Sequence, residues 1–576
     1  MNQEIRLLLA ITLMMLVLIT TNILFAPSTP ETPPPAATDS MNSQQNPSED
    51  IETASGTTPN GKTYDAEPVN KDDLQQRMQQ DENLRDRVAE EIVVEGEQYR
   101  LTFNSHGARL TSAQLLKFQS FSHEGPVEFF PEGGDGALGS EIRTERENLN
   151  FRSFPFEVVP QEGINLTESD QPQTLTFTYK HPSGAFALQK SYTFTPLSYE
   201  IEARVEVDGI GRSLLVTDMG TGLAFNEAQE AEELRIMGYV TNHLREGIQA
   251  KPMRKVKEDL TIEGPLIWSA LKSKYFLLAI LPGTGNDQEQ YLGGLLVSPV
   301  PGDHQAKVAV TQPLGAGGSV SYRLFVGPQE RDLLMAYSNG LEEANPYGYR
   351  WMRVVVRPVV VIVMAVLNFL HLNLSVGYGW VLIIFGVMMR VLLFPLNQKA
   401  MKAQMRNMAV QPLLQEIQKN HKDNPEKLQK EMMKLYKEHG FNPLAGCLPM
   451  LLPWPVLITL FFVFQNTIQL RGESFLWLPN LSAADPLYIL PVILGASMFL
   501  MQWISVKSMP DPNPQMKMML WIMPIMMAVI FANFASGLNL YYATANIATL
   551  PQQYWIAKER QKFRAQSAPK IQANSG

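Results

Sequence analysis

Two hydrophobic patterns divide this chain. Between residues 92 and 326 apolar and polar positions alternate, as in Leu175-Thr176-Phe177-Thr178-Tyr179, Tyr192-Thr193-Phe194 and Ile201-Glu202-Ala203-Arg204-Val205-Glu206-Val207. A period of two sends successive side chains to opposite faces of a strand. Pro182-Ser183-Gly184 and Asp208-Gly209 punctuate these runs as turns. Many short strands in an antiparallel sandwich are predicted. Beyond residue 350 the alternation gives way to long apolar runs at 376–396, 444–470, 487–506, 518–534 and 538–556. Each approaches or exceeds the ~20 residues that cross a hydrocarbon core of ~30 Å. A further run, 7–25, follows Arg6, so six spans are predicted.

A seventh apolar segment, 349–375, reads differently. Arg350, Arg353, Arg357, Asn368, His371 and Ser375 recur along one helical stripe, which suits an amphipathic helix lying in the membrane interface. His371 is then a headgroup-level polar residue. The first run is read as an uncleaved signal anchor in preference to a cleaved signal peptide. Leu24-Phe25-Ala26-Pro27 lacks the small-x-small cleavage pattern, and the run is longer than a typical signal core.

Residues 27–91 are rich in Pro, Thr, Ser, Asn and Gln, a composition that cannot bury enough apolar surface to offset ordering entropy, so a tether is predicted. Inside it Gly56-Thr57-Thr58-Pro59-Asn60-Gly61-Lys62-Thr63 formally matches the phosphate-loop pattern. No strand pattern precedes it and no helix pattern follows to aim its N–H groups, so the match is read as accidental and no nucleotide is expected.

Charge sharpens the division. The net −9 conceals 27 basic and 47 acidic side chains in residues 27–350 against 20 and 9 in residues 351–576. An acidic middle and a basic, apolar end fit a solvated domain joined to one that meets anionic headgroups, and do not imply nucleic acid. Residues 397–440 hold nine Lys or Arg, the stretch after 556 holds Lys558, Arg560, Lys562, Arg564 and Lys570, and 471–486 holds Arg471 alone. The positive-inside rule places the long loop and the tail in the cytoplasm and the acidic domain outside. Six spans then leave both termini cytoplasmic. Cys447 is the single cysteine, which excludes an intramolecular disulfide; it reads as a small packing residue. His106, His181, His243 and His304 show no ligand spacing, and neither a nucleophile elbow nor a zinc pattern stands out. No metal, cofactor or enzymatic activity is expected.

The informative residue is Arg390, within Gly386-Val387-Met388-Met389-Arg390-Val391-Leu392-Leu393-Phe394-Pro395. A charge inside a span costs ~2.5–3.5 kcal/mol on insertion scales. Snorkelling is one reading, since Arg390 lies about 9 Å from the end of its run by helical rise. The other follows from the absence of Asp and Glu in all six spans. Without a counter-ion, Arg390 needs water, carbonyls or neutral polar groups, and a hydrated cavity supplies them. Gln465, Asn466, Gln502, Asn533, Ser536, Asn539, Asn546 and Gln552 are candidates to line it. The lack of carboxylates argues against a proton- or sodium-coupled transporter.

The runs YGWVLIIFGVMMRVLLFPLNQKAMKAQMRNMAVQP, NPLAGCLPMLLPWPVLITLFF, DPLYILPVILGASMFLMQ and ASGLNLYYATANIATLPQQ occur in that order. They resemble the core segments of the YidC/Oxa/Alb insertase family. The acidic β-domain between an anchor and this core resembles the Gram-negative branch. The resemblance implies a multi-domain bacterial inner-membrane protein of six transmembrane helices, five of them forming the core, with a periplasmic β-supersandwich. Expected boundaries are anchor 1–26, tether 27–91, periplasmic domain 92–345, interfacial helix 346–375, core 376–557 with a cytoplasmic helical hairpin at 397–440, and basic tail 558–576. The implied function is insertion and folding of newly made membrane proteins, alone or beside the Sec translocon, through a positively charged groove open to cytoplasm and lipid. Arg390 would be the groove arginine, and Tyr541 and Tyr542 the aromatic pair of the client exit face. Gly386 and Pro453 depart from the family pattern, in which threonine and glutamine are frequent.

Implied partners are nascent membrane proteins, the Sec translocon, the phospholipid bilayer, and the ribosome through tail and hairpin. Met401, Met405, Met408, Met432 and Met433 punctuate the hairpin. Flexible thioethers suit varied apolar clients, or simply pack well there. The rival from another class is a small-solute transporter with a continuous pore; a sugar-binding module on an anchor rests on sandwich analogy alone.

Overall fold

The computed structural model describes residues 88–145, 148–283, 291–301, 304–314, 318–337, 339–345, 353–395, 398, 417, 420–421, 425–438, 454–508 and 514–572. All of them fall in one compact unit, Arg87–Gly576. The span expected at 7–25, nearly all of the tether, and Met401, Met405 and Met408 lie outside the described residues.

The alternating region forms a five-stranded and a 14-stranded sheet. In the smaller, Glu91–Glu95, Tyr99–Asn104, Arg109–Gln119 and Pro126–Glu128 pair antiparallel, and Ile164–Asn165 adds a parallel edge. The larger runs from Asn148–Asn150 at one edge to Glu157–Val159 at the other. Its meander Gln173–Lys180, Ala187–Phe194, Glu200–Asp208 sets Tyr192 opposite Leu175 and Leu188 opposite Tyr179. The period of two thus delivers Leu175, Phe177, Leu188, Tyr192, Ile201 and Val205 to one buried face. From the facing sheet, Phe103 meets Tyr192 at 5.2 Å and Phe177 at 5.7 Å between ring centroids. Full burial of each such side chain stabilises by about 1.5–3 kcal/mol. One inward position carries Lys190, wholly buried, whose Nζ donates to the carbonyls of Gly107, Ala108 and Leu138.

Two short helices, α1 (Glu230–Ile236) and α2 (Arg331–Met335), decorate the sandwich. The apolar region follows as α3 (Arg353–Leu374), α4 (Tyr378–Pro395), α5 (Pro425–Glu438), α6 (Trp454–Asn466), α7 (Ile489–Lys507), α8 (Pro514–Phe531) and α9 (Ser536–Gln572). Among the described residues, three helices are long and apolar enough to cross a membrane: Val356–Leu374, Tyr378–Pro395 and Ile489–Lys507.

On α3 the positions Val356, Val360, Val363, Met364 and Leu367 are buried. Their three- and four-residue spacing builds one apolar stripe. Its polar side meets the sandwich, where Arg357 pairs with Glu343, and Asn368 Nδ2 donates to Asp332 at 3.1 Å. His371 stacks on Tyr378 at 4.3 Å, and its Nδ1 lies 2.9 Å from the Val376 carbonyl oxygen.

Candidate functional site

Arg390 sits on α4 three turns beyond Tyr378, roughly 18 Å along the axis at 1.5 Å per residue. It is half-buried and lies within electrostatic reach of the hydroxyls of Tyr541 and Tyr542 on α9. Among the described residues no carboxylate comes within ion-pair distance of it. Gly386, one turn back on the same face, brings the two helices close. A Cβ there would lie 3.4 Å from Thr544 Cγ2 and 3.5 Å from the Tyr541 carbonyl oxygen, ordinary contact distances.

The tyrosines are held by their own packing. Tyr541 is 4% exposed and meets Phe385 at 5.7 Å and Phe464 at 5.8 Å; Tyr542 meets Phe531 at 5.2 Å. The two tyrosine rings lie edge to face at 5.4 Å. Rings so locked present their hydroxyls at fixed positions, so a cation and two neutral hydroxyls form a polar spot between apolar helices.

The remaining polar candidates occupy other places. Ser536 and Asn539, both fully buried, serve the start of α9: Ser536 Oγ donates to the Asn480 carbonyl at 3.0 Å, and Asn539 Nδ2 donates to the Phe531 carbonyl at 2.9 Å. Asn546 Nδ2 donates to Ser497 Oγ at 3.4 Å, tying α9 to α7. Gln465 and Asn533 line a small polar cavity with Glu227, Glu232, Lys274 and Asn480, at the end nearest the sandwich. Asn466 and Gln502 are half-buried and Gln552 is buried. On α5, Met432 is half-buried and Met433 exposed. Of the sequence-derived set, Arg390, Tyr541 and Tyr542 come together, whereas Ser536, Asn539, Gln465 and Asn533 gather on the sandwich side of them, with Asn539 two residues before Tyr541 on α9.

A second constellation escaped the reading of the sequence. Arg471, on the loop after α6, plugs into the sandwich. Its Nε donates to Glu227 at 2.6 Å, and its remaining nitrogens donate to the Gln119 carbonyl at 2.8 Å and the Asn226 carbonyl at 3.2 Å. The guanidinium stands 4.5 Å from the Phe121 ring centre and 5.1 Å from that of Phe276, and the side chain is 3% exposed. Tyr275 Oη donates to the Gln465 carbonyl at 3.3 Å. Nearby, Glu233 accepts the N–H groups of Asn226 and Glu227. Burial pushes its carboxyl up to about 7, against the downward pull of those donors and of Arg471. The available signal was Arg471's isolation as the lone cation of a charge-poor loop.

Residues 369–564 match the family model described as 60Kd inner membrane protein, and residues 91–362 match that of the YidC periplasmic domain. A protein of Chlorobium phaeovibrioides named membrane protein insertase YidC is 30% identical over 505 residues, covering 81% of this chain and 83% of the relative. The chain belongs to the YidC membrane protein insertase family. Its Syntrophus aciditrophicus relative of the same name is 29% identical over 524 residues, covering 88% of this chain and 90% of that one. A crystal structure titled as an active YidC insertase with its first transmembrane domain resolved aligns over 81% of this chain and 93% of that chain, at 18% identity and a TM-score of 0.34. By the match of residues 91–362, the sandwich is the family's periplasmic domain. The relatives are named as insertases, and the solute-transporter reading has no support among them.

Proposed function

We propose that this insertase receives newly made inner-membrane proteins in a hydrated groove whose polar spot is Arg390 with Tyr541 and Tyr542. The observation that carries the reading is a half-buried arginine on an apolar helix, faced by two tyrosines and, among the described residues, by no carboxylate. An unpaired cation in a low-dielectric setting attracts a client's acidic segment more strongly than one in water. The client's apolar part then leaves along the Tyr541–Tyr542 face into lipid. A short polar segment crosses a thinner dry barrier and no bond is made or broken. Gln502 and Asn546, farther along the helices, add polarity to the groove, as do Gln465, Asn466, Asn533, Ser536 and Asn539 toward its periplasmic end.

The same reading gives six spans, cytoplasmic termini, and α3 lying along the periplasmic surface. Its contacts with the sandwich at both Arg357 and Asn368, eleven residues apart, support that orientation. Met432 and Met433, with Met401, Met405 and Met408, offer clients adaptable apolar contact on the cytoplasmic hairpin. The basic tail approaches the ribosome, and the Sec translocon is the partner for larger clients.

The test is depletion of the native protein with rescue by wild type, Arg390→Lys or Arg390→Ala, following insertion of a small single-span client with an acidic outer segment by protease accessibility. Rescue by Lys and failure of Ala is expected. Normal insertion by all three reduces Arg390 to a snorkelling residue.

A further inference from the structure

The loop between α6 and α7 combines two features that soluble loops rarely share. First, it displays large apolar side chains: Leu476 is 73% exposed, Leu487 61% and Tyr488 55%. Second, two of these three hold left-handed backbone, with φ of +54° at Leu476 and +56° at Tyr488. That region is unfavourable for side chains without a polar group to bond locally, and persists only where surroundings enforce it.

The enforcement is visible. Phe475 and Leu478 exchange both backbone hydrogen bonds, at 2.8 and 2.9 Å, closing a tight turn with Leu476 at its tip. The turn is keyed into α4: Phe475 is buried and packs edge to face on Trp380 at 5.4 Å, and it fills the notch at Gly379, where a Cβ would fall 2.1 Å from the ring. Trp477 Nε1 donates to Asp485 Oδ1 at 3.2 Å, and the same carboxylate accepts the N–H groups of Leu487 at 3.0 Å and Leu490 at 2.7 Å. One network thus aims the turn tip and the Leu487–Tyr488 pair.

From Ser474 to Val506 the sole charged residue is Asp485, which is 1% exposed. Before that stretch the loop carries Arg471, whose side chain is 3% exposed, and the half-buried Glu473; beyond them its surface is uncharged and runs directly into the apolar outer face of α7, where Val492 is 64% exposed. Helix α7, of 19 residues, spans about 29 Å at 1.5 Å per residue, close to a ~30 Å hydrocarbon core, so the loop that precedes it lies at the boundary of that core.

We infer that this loop is a lipid wedge: Leu476, Leu487 and Tyr488 insert into the acyl–headgroup boundary of the outer leaflet, on the side opposite the cytoplasmic hairpin. The inference rests on the helices lying in the membrane and is independent of the groove.

The test uses full-length protein with Cys447→Ser, reconstituted in phosphatidylethanolamine–phosphatidylglycerol nanodiscs, with single cysteines carrying a nitroxide at Leu476→Cys and, separately, Tyr488→Cys. Val492→Cys is the lipid control and Glu157→Cys, on an edge strand of the sandwich, the water control. Power saturation against oxygen and a water-soluble nickel complex is expected to place both loop labels nearer Val492 than Glu157. Loop labels as open to nickel as Glu157, with Val492 shielded, overturn the wedge alone. A Val492 label open to nickel overturns the membrane placement and the wedge with it. Should one loop variant misfold, the other decides.

Discussion

Arg471 and Arg390 are both arginines set back from the open surface, Arg471 nearly buried and Arg390 half-buried, and their surroundings differ in kind. Arg471 has a carboxylate at 2.6 Å, two carbonyl acceptors and two aromatic faces. Arg390 has two tyrosines and, among the described residues, no carboxylate. A guanidinium whose donors are all engaged has little left for a passing ligand, whereas one with neutral neighbours keeps its field. The contrast teaches how to read an arginine in this protein. Complete pairing marks a joint, and incomplete pairing marks a place kept for something that arrives.

That comparison breaks or sharpens on four measurements. The largest effect is expected from Arg471→Met, which leaves Glu227 buried and unpaired. About 3–5 kcal/mol should be lost from the junction, read as a lower melting temperature and faster proteolysis of the periplasmic domain. Adding Glu227→Gln should recover much of the loss; no change in either variant would mean that Arg471 is not a joint. The second concerns Glu233, whose folded carboxyl titrates near 7 and whose unfolded value is 4.5. Stability from its protonated form is fully present below 4.5 and is lost as pH rises through 7, by about 3 kcal/mol at most. Melting curves at about pH 5 and about pH 8 should converge in Glu233→Gln. If the wild type shows no such slope, the environment drawn around Arg471 is wrong.

Smaller effects belong to the helices. Arg390→Met should change stability by no more than about 1 kcal/mol, since replacing a poorly paired buried charge by an apolar side chain is near neutral, while insertion of the acidic client fails. A large loss of melting temperature there would make Arg390 a joint as well. Gly386→Ser should move stability by less than about 0.5 kcal/mol, because its Cβ meets only ordinary contacts. Its hydroxyl joins the Arg390 face, and the insertion rate of polar clients is the sensitive readout.

The sandwich was legible because an alternating period leaves few other folds, and the expected runs at Leu175, Tyr192 and Ile201 lie in paired strands. Lys190 was not, since alternation assigns a face by residue type and a lysine on the core face reads as an outward one. Arg390 stood out as a charge in an apolar run, and Tyr541–Tyr542 through resemblance. The polar candidates were legible only as polar. Sequence does not say that Ser536 and Asn539 are engaged by carbonyls of Asn480 and Phe531 at a helix start. The junction was invisible for a topological reason: Arg471 and Glu227 are 244 residues apart, and no local period links them.

Among the described residues, four contacts fix the sandwich to the membrane part: Arg471 with Glu227, Tyr275 with the Gln465 carbonyl, Asn368 with Asp332, and Arg357 with Glu343. Together they act as a brace. An antibody fragment seated on the sandwich would therefore inherit the tilt of the helices, giving single-particle microscopy an alignment fiducial outside the detergent belt for a membrane core that offers few landmarks of its own.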